Sequence, residues 1–326
     1  MKYSIFLFPG QGSQYSYMGT ELSHKLGISS DFIRKKLTPF FSLQELDLFF
    51  TGQLEEITPT YLAQPFITAY SLFCWDFINS KNSLDFTFQK LLSLGHSIGE
   101  YACLYSVGAL SWEEALRLAK KRGQIMQECY PVGQGGMSAI LSCEKRDLEK
   151  VCQEVSALGE EYFISIANIN SPQQFVVAGN KKGLEKISEM AKAILNQTLK
   201  IIPLKVSAPF HCKLMEKAKE NFSPFLKEIS FSSPLFPYIP NVTGTLFSKN
   251  TSPSSIGNLL SEQITANVLW APSFETIRSY LEEQKISLED VSFFEIGPGN
   301  VLTGLLKRNL SGAIGKNFDS YNFSGV

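Results

Sequence analysis

Ile5, Phe6, Leu7 and Phe8 form an unbroken apolar run that stops at Pro9-Gly10. A run without a polar face suits a strand buried on both sides, as in a parallel sheet. A second run, Leu91-Leu92-Ser93-Leu94, passes through Gly95-His96-Ser97-Ile98-Gly99-Glu100 into an apolar helix near Tyr101 to Val107. Strand, tight turn and helix in that order predict an α/β domain. Ser111-Trp112-Glu113-Glu114 has the form of a capping box, a Ser N-cap followed three residues later by Glu. The helix it opens has apolar residues at Ala115, Leu118, Ala119, Ile125 and Met126 and should run to about Cys129, before Pro131. Arg122 then lies several turns in, on a rigid element.

Gly133-Gln134-Gly135-Gly136 marks a change of pattern. Beyond it the periodicity predicts a strand from Met137 to Leu141, a helix from Lys145 to Ala157 and a strand from Phe163 to Ile169. A turn at Ser171-Pro172-Gln173-Gln174, a strand from Phe175 to Ala178, a helix from Lys181 to Leu195 and a strand from Leu199 to Leu204 follow. The order β-α-β-β-α-β is ferredoxin-like. It predicts a small subdomain over 135–205, inserted into a larger α/β domain made of 1–134 and 206–326. In the resumed large domain the pattern predicts helices at Lys213 to Glu228, Ser254 to Gln263 and Phe274 to Gln284. Strands are expected at Pro237 to Ile239 and Val291 to Glu295, and a short helix ending at Arg308. The Gly/Ser/Asn-rich tail from Ser311 is expected to be loosely ordered at its end. There are no internal repeats.

The chain has 326 residues, 30 basic against 31 acidic side chains, and a hydrophobic fraction of 44%. That fraction can fill a large core, so disorder is excluded as the main state. A net charge of −1 gives no global attraction to nucleic acid or an anionic membrane. No apolar run approaches the ~20 residues of a membrane span, and the short N-terminal run lacks a cleavage pattern. Cys74, Cys103, Cys129, Cys143, Cys152 and Cys212 form no C-x-x-C pair, which speaks against a zinc site and for a reducing compartment.

Gly95-His96-Ser97-Ile98-Gly99 fits G-x-S-x-G. It is either a plain glycine-rich βα turn or a sharp turn that exposes the Ser97 hydroxyl, with the Ile98 N–H at a helix N-terminus facing a developing oxyanion. A serine nucleophile needs a base, and the chain offers only His24, His96 and His211. His96 adjoins Ser97 and should point away from it, as a packing residue. His24 sits in a polar stretch. His211, in a loop just after the inserted unit, remains as the best candidate, with a structural histidine near an interdomain seam as the other reading. Arg122 follows Lys120 and Lys121, so it belongs either to one solvated basic turn or to a guanidinium fork for a carboxylate. Gln11 lies in a glycine-rich loop whose backbone N–H could complete an oxyanion hole. That loop fits neither G-x-G-x-x-G, since Tyr15 stands at the third glycine position, nor a phosphate-binding G-K-[ST] loop.

Phe8-Pro9-Gly10-Gln11-Gly12-Ser13-Gln14, Gly95-His96-Ser97-Ile98-Gly99-Glu100, Arg122-Gly123-Gln124-Ile125-Met126-Gln127 and Gly136-Met137 resemble the malonyl-CoA:acyl carrier protein transacylase family. Asn168 with Asn170-Ser171-Pro172, Phe210-His211-Cys212, Asn241-Val242-Thr243 and Glu295-Ile296-Gly297-Pro298-Gly299 continue that resemblance in the family's order, over nearly the whole chain. The resemblance implies an α/β-hydrolase-like large domain with a parallel sheet, and a ferredoxin-like small subdomain. It implies that Ser97 carries the malonyl group as an ester and that His211 serves as base and then acid. A backbone carbonyl, matched here at Gln263, would orient His211. Arg122 would pair with the malonyl carboxylate, and the N–H groups of Gln11 and Ile98 would form the oxyanion hole.

The implied reaction is ping-pong transfer from malonyl-CoA to the phosphopantetheine thiol of acyl carrier protein in fatty acid biosynthesis, in the cytoplasm, by a monomer. No cofactor or metal and no nucleic acid or membrane partner is implied. Phe210 before His211 resembles the malonyl-selecting form. An acidic carrier would meet a locally basic face, for which Lys181, Lys182 and Lys186 are candidates beside the reading of a solvated helix face. A serine hydrolase, a non-catalytic scaffold of the same fold and an acyltransferase of polyketide assembly are the alternatives. The ferredoxin-like insertion is foreign to the hydrolase fold and speaks against that reading.

Overall fold

A computed structural model describes residues 2–80 and 89–320. Its strands are β1 (Tyr3–Phe8), β2 (Gln89–Gly95), β3 (Gly135–Leu141), β4 (Ile164–Ser171), β5 (Gln174–Asn180), β6 (Lys200–Pro203), β7 (Tyr238–Ile239), β8 (Val291–Glu295) and β9 (Ile314–Asn317). They form two sheets. One is five-stranded in the order β7-β2-β1-β8-β9, and every pairing in it is parallel. The other is four-stranded in the order β4-β5-β3-β6, and every pairing in it is antiparallel.

The apolar run at the N-terminus becomes the central strand, β1. Side chains alternate across a strand, so its apolar residues are divided between two cores. Phe6 and Phe8 pack with Tyr70, Phe73 and Trp75 on one face. Ile5 and Leu7 pack with Trp270, Phe274 and Ile277 on the other. A third core, with Ile140, Leu148, Val177 and Ile187, lies within the antiparallel unit. The helices Lys145–Ser156 and Lys181–Leu195 connect its strands. The two units are also tied by backbone: the Ile169 N–H donates to the Val268 carbonyl at 3.0 Å, and the Val268 N–H to the Ala167 carbonyl at 2.8 Å. Asn309 Nδ2 donates to the Asn170 carbonyl at 2.8 Å.

The expected capping box at Ser111 is present in full, with the Glu114 N–H on the Ser111 hydroxyl at 3.1 Å and the Ser111 N–H on the Glu114 carboxylate at 2.9 Å. It starts the helix Trp112–Glu128. Two expectations need correction. Lys213 to Glu228 is a 3-10 turn at Lys213–Met215 followed by a helix over Glu216–Lys227. The helix expected from Phe274 begins at Trp270, because Pro272 sits in the first turn, where its missing N–H costs nothing. The described part of the tail from Ser311 is ordered. It adds β9 to the parallel sheet, with Phe294 opposite Lys316 and Glu295 opposite Asn317. The tail's last residues, 321–326, lie outside the described residues.

The hydrophobic pattern assigned no elements between residues 15 and 88. Among the described residues five helices form there: Met18–Leu26, Ser30–Leu37, Leu43–Thr51, Leu54–Ile57 and Thr60–Ser80. Four are too short for a clear period. The fifth is buried along nearly its whole length, so it has no polar face to mark a period. No helix among the described residues is long and apolar enough to cross a membrane.

Asp319 anchors the tail. It accepts from Lys25 Nζ at 2.6 Å, from the Tyr70 hydroxyl at 2.6 Å and from the Gly299 N–H at 2.6 Å. Replacing it leaves three donors short of their acceptor in a poorly hydrated place. Asp319→Ala is expected to lower the free energy of unfolding in urea by about 3 kcal/mol. A change below about 0.5 kcal/mol would show that the tail is held by its strand pairing alone.

Candidate active site

Ser97 stands on the turn between β2 and the helix Gly99–Ser106, with φ +52°. A non-glycine residue is strained there and persists only if its surroundings hold it. They do so from both sides. The Ser97 N–H donates to Asn241 Oδ1 at 2.6 Å, and its carbonyl accepts from Gln263 Nε2 at 3.1 Å. The two glycines of the motif have a steric reason. A Cβ on Gly95 would lie 2.2 Å from the Gly99 carbonyl carbon, and one on Gly99 would lie 2.1 Å from the Phe8 carbonyl oxygen. Only glycine lets β1, β2 and the following helix meet so closely.

The structure brings together Ser97, His211 and Arg122, which come from different parts of the chain. The Ser97 hydroxyl and His211 Nε2 are 2.7 Å apart. His211 Nδ1 lies 2.8 Å from the Gln263 backbone carbonyl. A carbonyl can only accept, so Nδ1 carries the proton and Nε2 is left to accept from the serine. His211 is thus oriented by a carbonyl, where a Ser-His-Asp arrangement has a carboxylate. His211 itself has φ +59°.

Arg122 is fully buried. The helix turns Lys120 and Lys121 away from it: Lys120 pairs with Glu45 at 3.0 Å, and Lys121 lies over the Phe225 ring. The reading of one solvated basic turn is therefore wrong for Arg122. Its Nη2 donates to Gln263 Oε1 at 3.0 Å and reaches the Ser97 hydroxyl at 3.2 Å. Its Nε and Nη1 are buried and make no well-formed hydrogen bond among the described residues, although the Tyr101 hydroxyl lies beside the guanidinium. A buried guanidinium with two idle donors is costly unless an anion completes it. Arg122 lines a cavity of about 340 Å³ that also reaches Ser97, His211, Gln11 and Phe210. The antiparallel sheet supplies one wall through Met137, Asn168 and Val176, and the helix Val301–Asn309 supplies another.

Burial and the neighbouring guanidinium of Arg122 pull His211 down to about 3, so its ring is neutral at physiological pH and can accept a proton. Burial lowers Arg122 as well, but a guanidinium remains charged throughout.

The remaining candidates are placed as follows. Gln11 lines the cavity, and its side chain donates to Thr60 Oγ1 at 3.2 Å. Among the described residues, the backbone N–H groups of Gln11 and Ile98 donate to no acceptor. His96 bonds neither Ser97 nor His211, although it lines the same cavity. Its Nε2 bonds Asn170 Oδ1 at 2.9 Å, and its ring meets the edge of Trp270. It therefore makes a polar contact as well as packing. His24 is exposed on the helix Met18–Leu26. Lys181, Lys182 and Lys186 each pair with a glutamate of the same chain: Glu185, Glu161 and Glu189.

Two residues at the heart of the site had no role in the sequence reading. Asn241 holds the backbone of the serine turn at two points, taking the Ser97 N–H and donating to the Gly95 carbonyl at 2.5 Å. Glu100 is a buried carboxylate that accepts from Gln263 Nε2 at 2.7 Å and from the Asn241 N–H at 3.1 Å. The one sequence signal for Glu100 is an acidic residue in the first turn of an otherwise apolar helix. For Asn241 it is a polar residue just past a short buried strand. No group of three or more His, Cys, Asp or Glu among the described residues could hold a metal ion.

The sequence matches the acyl transferase domain family over residues 5–312. It is 36% identical over 305 residues to the malonyl CoA-acyl carrier protein transacylase of Bacillus subtilis, covering 93% of this chain and 89% of that one. It is 34% identical to the protein of the same name from Salmonella typhimurium, covering 93% and 91%. Among solved structures it superposes on an acyl-carrier-protein-S-malonyltransferase from Bartonella henselae with a TM-score of 0.84, at 30% identity over 98% and 96% of the two chains. A type II PKS acyl-carrier protein in complex with its malonyl-transacylase gives a TM-score of 0.80, at 30% identity over 97% and 96%.

The His211 ring is expected to stay neutral as the pH is lowered from about 8 to about 5, because an ordinary histidine titrates near 6.5 and this one is held well below. Its ring ¹⁵N shifts report the charge directly. A titration centred near 6.5 would mean that neither burial nor Arg122 governs the base.

Proposed function

The chain belongs to the acyl transferase domain family, and on that premise we propose that it moves a malonyl group from malonyl-CoA to the phosphopantetheine thiol of acyl carrier protein, in fatty acid biosynthesis. The observation that carries this reading is the Arg122 guanidinium, with Nε and Nη1 idle beside the serine that lies in reach of His211. A malonyl group ends in a carboxylate, and an acetyl group does not. A carboxylate can take one N–H of Nη2 together with Nε or Nη1 while the other Nη2 N–H stays on Gln263.

The chemistry follows from the same distances. Ser97 Oγ attacks the thioester carbonyl as His211 Nε2 takes its proton. The carbonyl oxygen becomes an oxyanion, which the N–H groups of Gln11 and Ile98 serve. The intermediate collapses by breaking the carbon–sulfur bond, and the coenzyme A sulfur leaves with the proton from His211. The malonyl ester of Ser97 then meets the carrier's thiol. His211 takes the thiol proton, the sulfur attacks the ester, and Ser97 Oγ leaves with that proton. One site used twice gives ping-pong kinetics. The backbone carbonyl of Gln263 keeps the His211 ring in the required tautomer through both halves.

The protein's own groups supply every step, so we read the reaction as needing no cofactor or metal; the carrier brings its phosphopantetheine. We take residues 135–205 as a ferredoxin-like subdomain within a discontinuous α/β-hydrolase-like domain of 1–134 and 206–326; the strand order β4-β5-β3-β6 supports this. We also place the protein in the cytoplasm as a monomer; its six free cysteines agree with a reducing compartment.

Incubation with malonyl-CoA is expected to add one malonyl group to the intact mass, located on Ser97, with little free malonate released until carrier protein is supplied. Ser97→Ala should abolish the adduct and reduce transfer by roughly 10³-fold or more. Arg122→Ala should slow malonyl loading roughly a hundredfold and narrow the gap to acetyl loading. An unmodified wild-type mass would remove Ser97 from its role, and an unchanged malonyl/acetyl ratio would remove Arg122.

A further inference from the structure

Glu100 takes no part in the steps above, yet its carboxylate is 1% exposed and sits at the convergence of the site. Its Oε2 accepts from two neighbours that each have further ends. Asn241 continues to the backbone on either side of the serine turn, at Gly95 and Ser97. Gln263 continues to three groups: through Nε2 to the Ser97 carbonyl, through Oε1 to Arg122, and through its backbone carbonyl to His211.

The amide of Gln263 works in one orientation only. Its NH₂ faces two acceptors, the Glu100 carboxylate and the Ser97 carbonyl, and its oxygen faces a guanidinium donor. Flipped, it would set oxygen against oxygen and NH₂ against guanidinium. A charged carboxylate behind the NH₂ is the strongest element favouring the working orientation. We propose that Glu100 is a positioning residue for acyl transfer, whose negative charge locks the Gln263 amide and so holds Ser97, His211 and Arg122 in register. This rests on the reading of Ser97 as the acylated residue.

The charge is conditional. Burial pushes the Glu100 carboxyl up to about 7, against the pull of its two hydrogen bonds and of Arg122. The groups facing it are Arg122 on the helix Trp112–Glu128, Tyr101 and Cys103 on its own helix, and Tyr238 on β7. Above pH ~7 the carboxylate is ionised and holds both donors. Below it the group is neutral, and the preference for one amide orientation weakens. The loading rate therefore rises with pH through about 7, while His211, held near 3, adds no limb there.

The test is single-turnover loading of Ser97 at saturating malonyl-CoA, followed by mass from about pH 6 to 8.5, with wild type and Glu100→Gln. The glutamine keeps the shape and an acceptor oxygen but cannot ionise. It is expected to load about tenfold more slowly, without the limb near pH 7, and with half-saturating malonyl-CoA within about twofold of wild type. A rate within about twofold of wild type, or a limb that persists in the variant, overturns the proposal. Failure of wild type to load at all is a separate result and overturns the assignment of Ser97 instead. If Glu100→Gln does not fold, the wild-type profile decides: a flat loading rate across pH 6–8 overturns the role of the Glu100 charge.

Discussion

A positive charge held out of water governs this structure. The Arg122 guanidinium is fully buried, and the surrounding protein satisfies only one of its three nitrogens. Such a group is destabilising on its own, and it persists because the rest of the fold fixes it in place. The helix that carries it is started by a full capping box and packed along its length. Arg122 lines the cavity that also reaches Ser97 and His211. The same charge depresses the neighbouring imidazole, keeping His211 free to accept a proton. Stability is spent at the point where selectivity is needed.

The serine turn shows a related compromise. Ser97 adopts a left-handed conformation that costs free energy, and Asn241 and Gln263 hold its N–H and carbonyl. These two side chains converge on one carboxylate, Glu100. Ser97, His211 and Arg122 come from distant parts of the chain, yet they share a single small polar network. The two sheets then complete the site. The parallel sheet presents the serine at the end of β2, and the antiparallel sheet closes the cavity from the side. Short backbone bridges such as Ile169 to Val268 fix the spacing between them.

Much of this was legible from the sequence, for identifiable reasons. The buried strands announced themselves as apolar runs, and the capping box at Ser111 and the G-x-S-x-G turn are local signals read within a few residues. The scarcity of histidine singled out His211. Arg122 was ambiguous because helix period alone did not separate it from Lys120 and Lys121; its burial depends on what packs against the helix. Glu100 and Asn241 were not legible as a pair, since their importance comes from contacts across more than a hundred positions. The helix Thr60–Ser80 was missed because burial on all sides erases the period. Strand β9 was missed because a parallel ladder is made by backbone, and a tail rich in Gly, Ser and Asn does not reveal it.

The central claim is that the idle guanidinium donors exist to be completed by the carboxylate of the acyl group on Ser97. The Nε–H resonance of Arg122 tests it most directly, recorded in the free protein and after loading with malonyl-CoA. The account predicts a marked downfield shift and slower exchange with solvent on malonyl loading, as Nε–H gains a charged acceptor. An Arg122 Nε–H signal that is the same in the free and malonyl-loaded protein would contradict it.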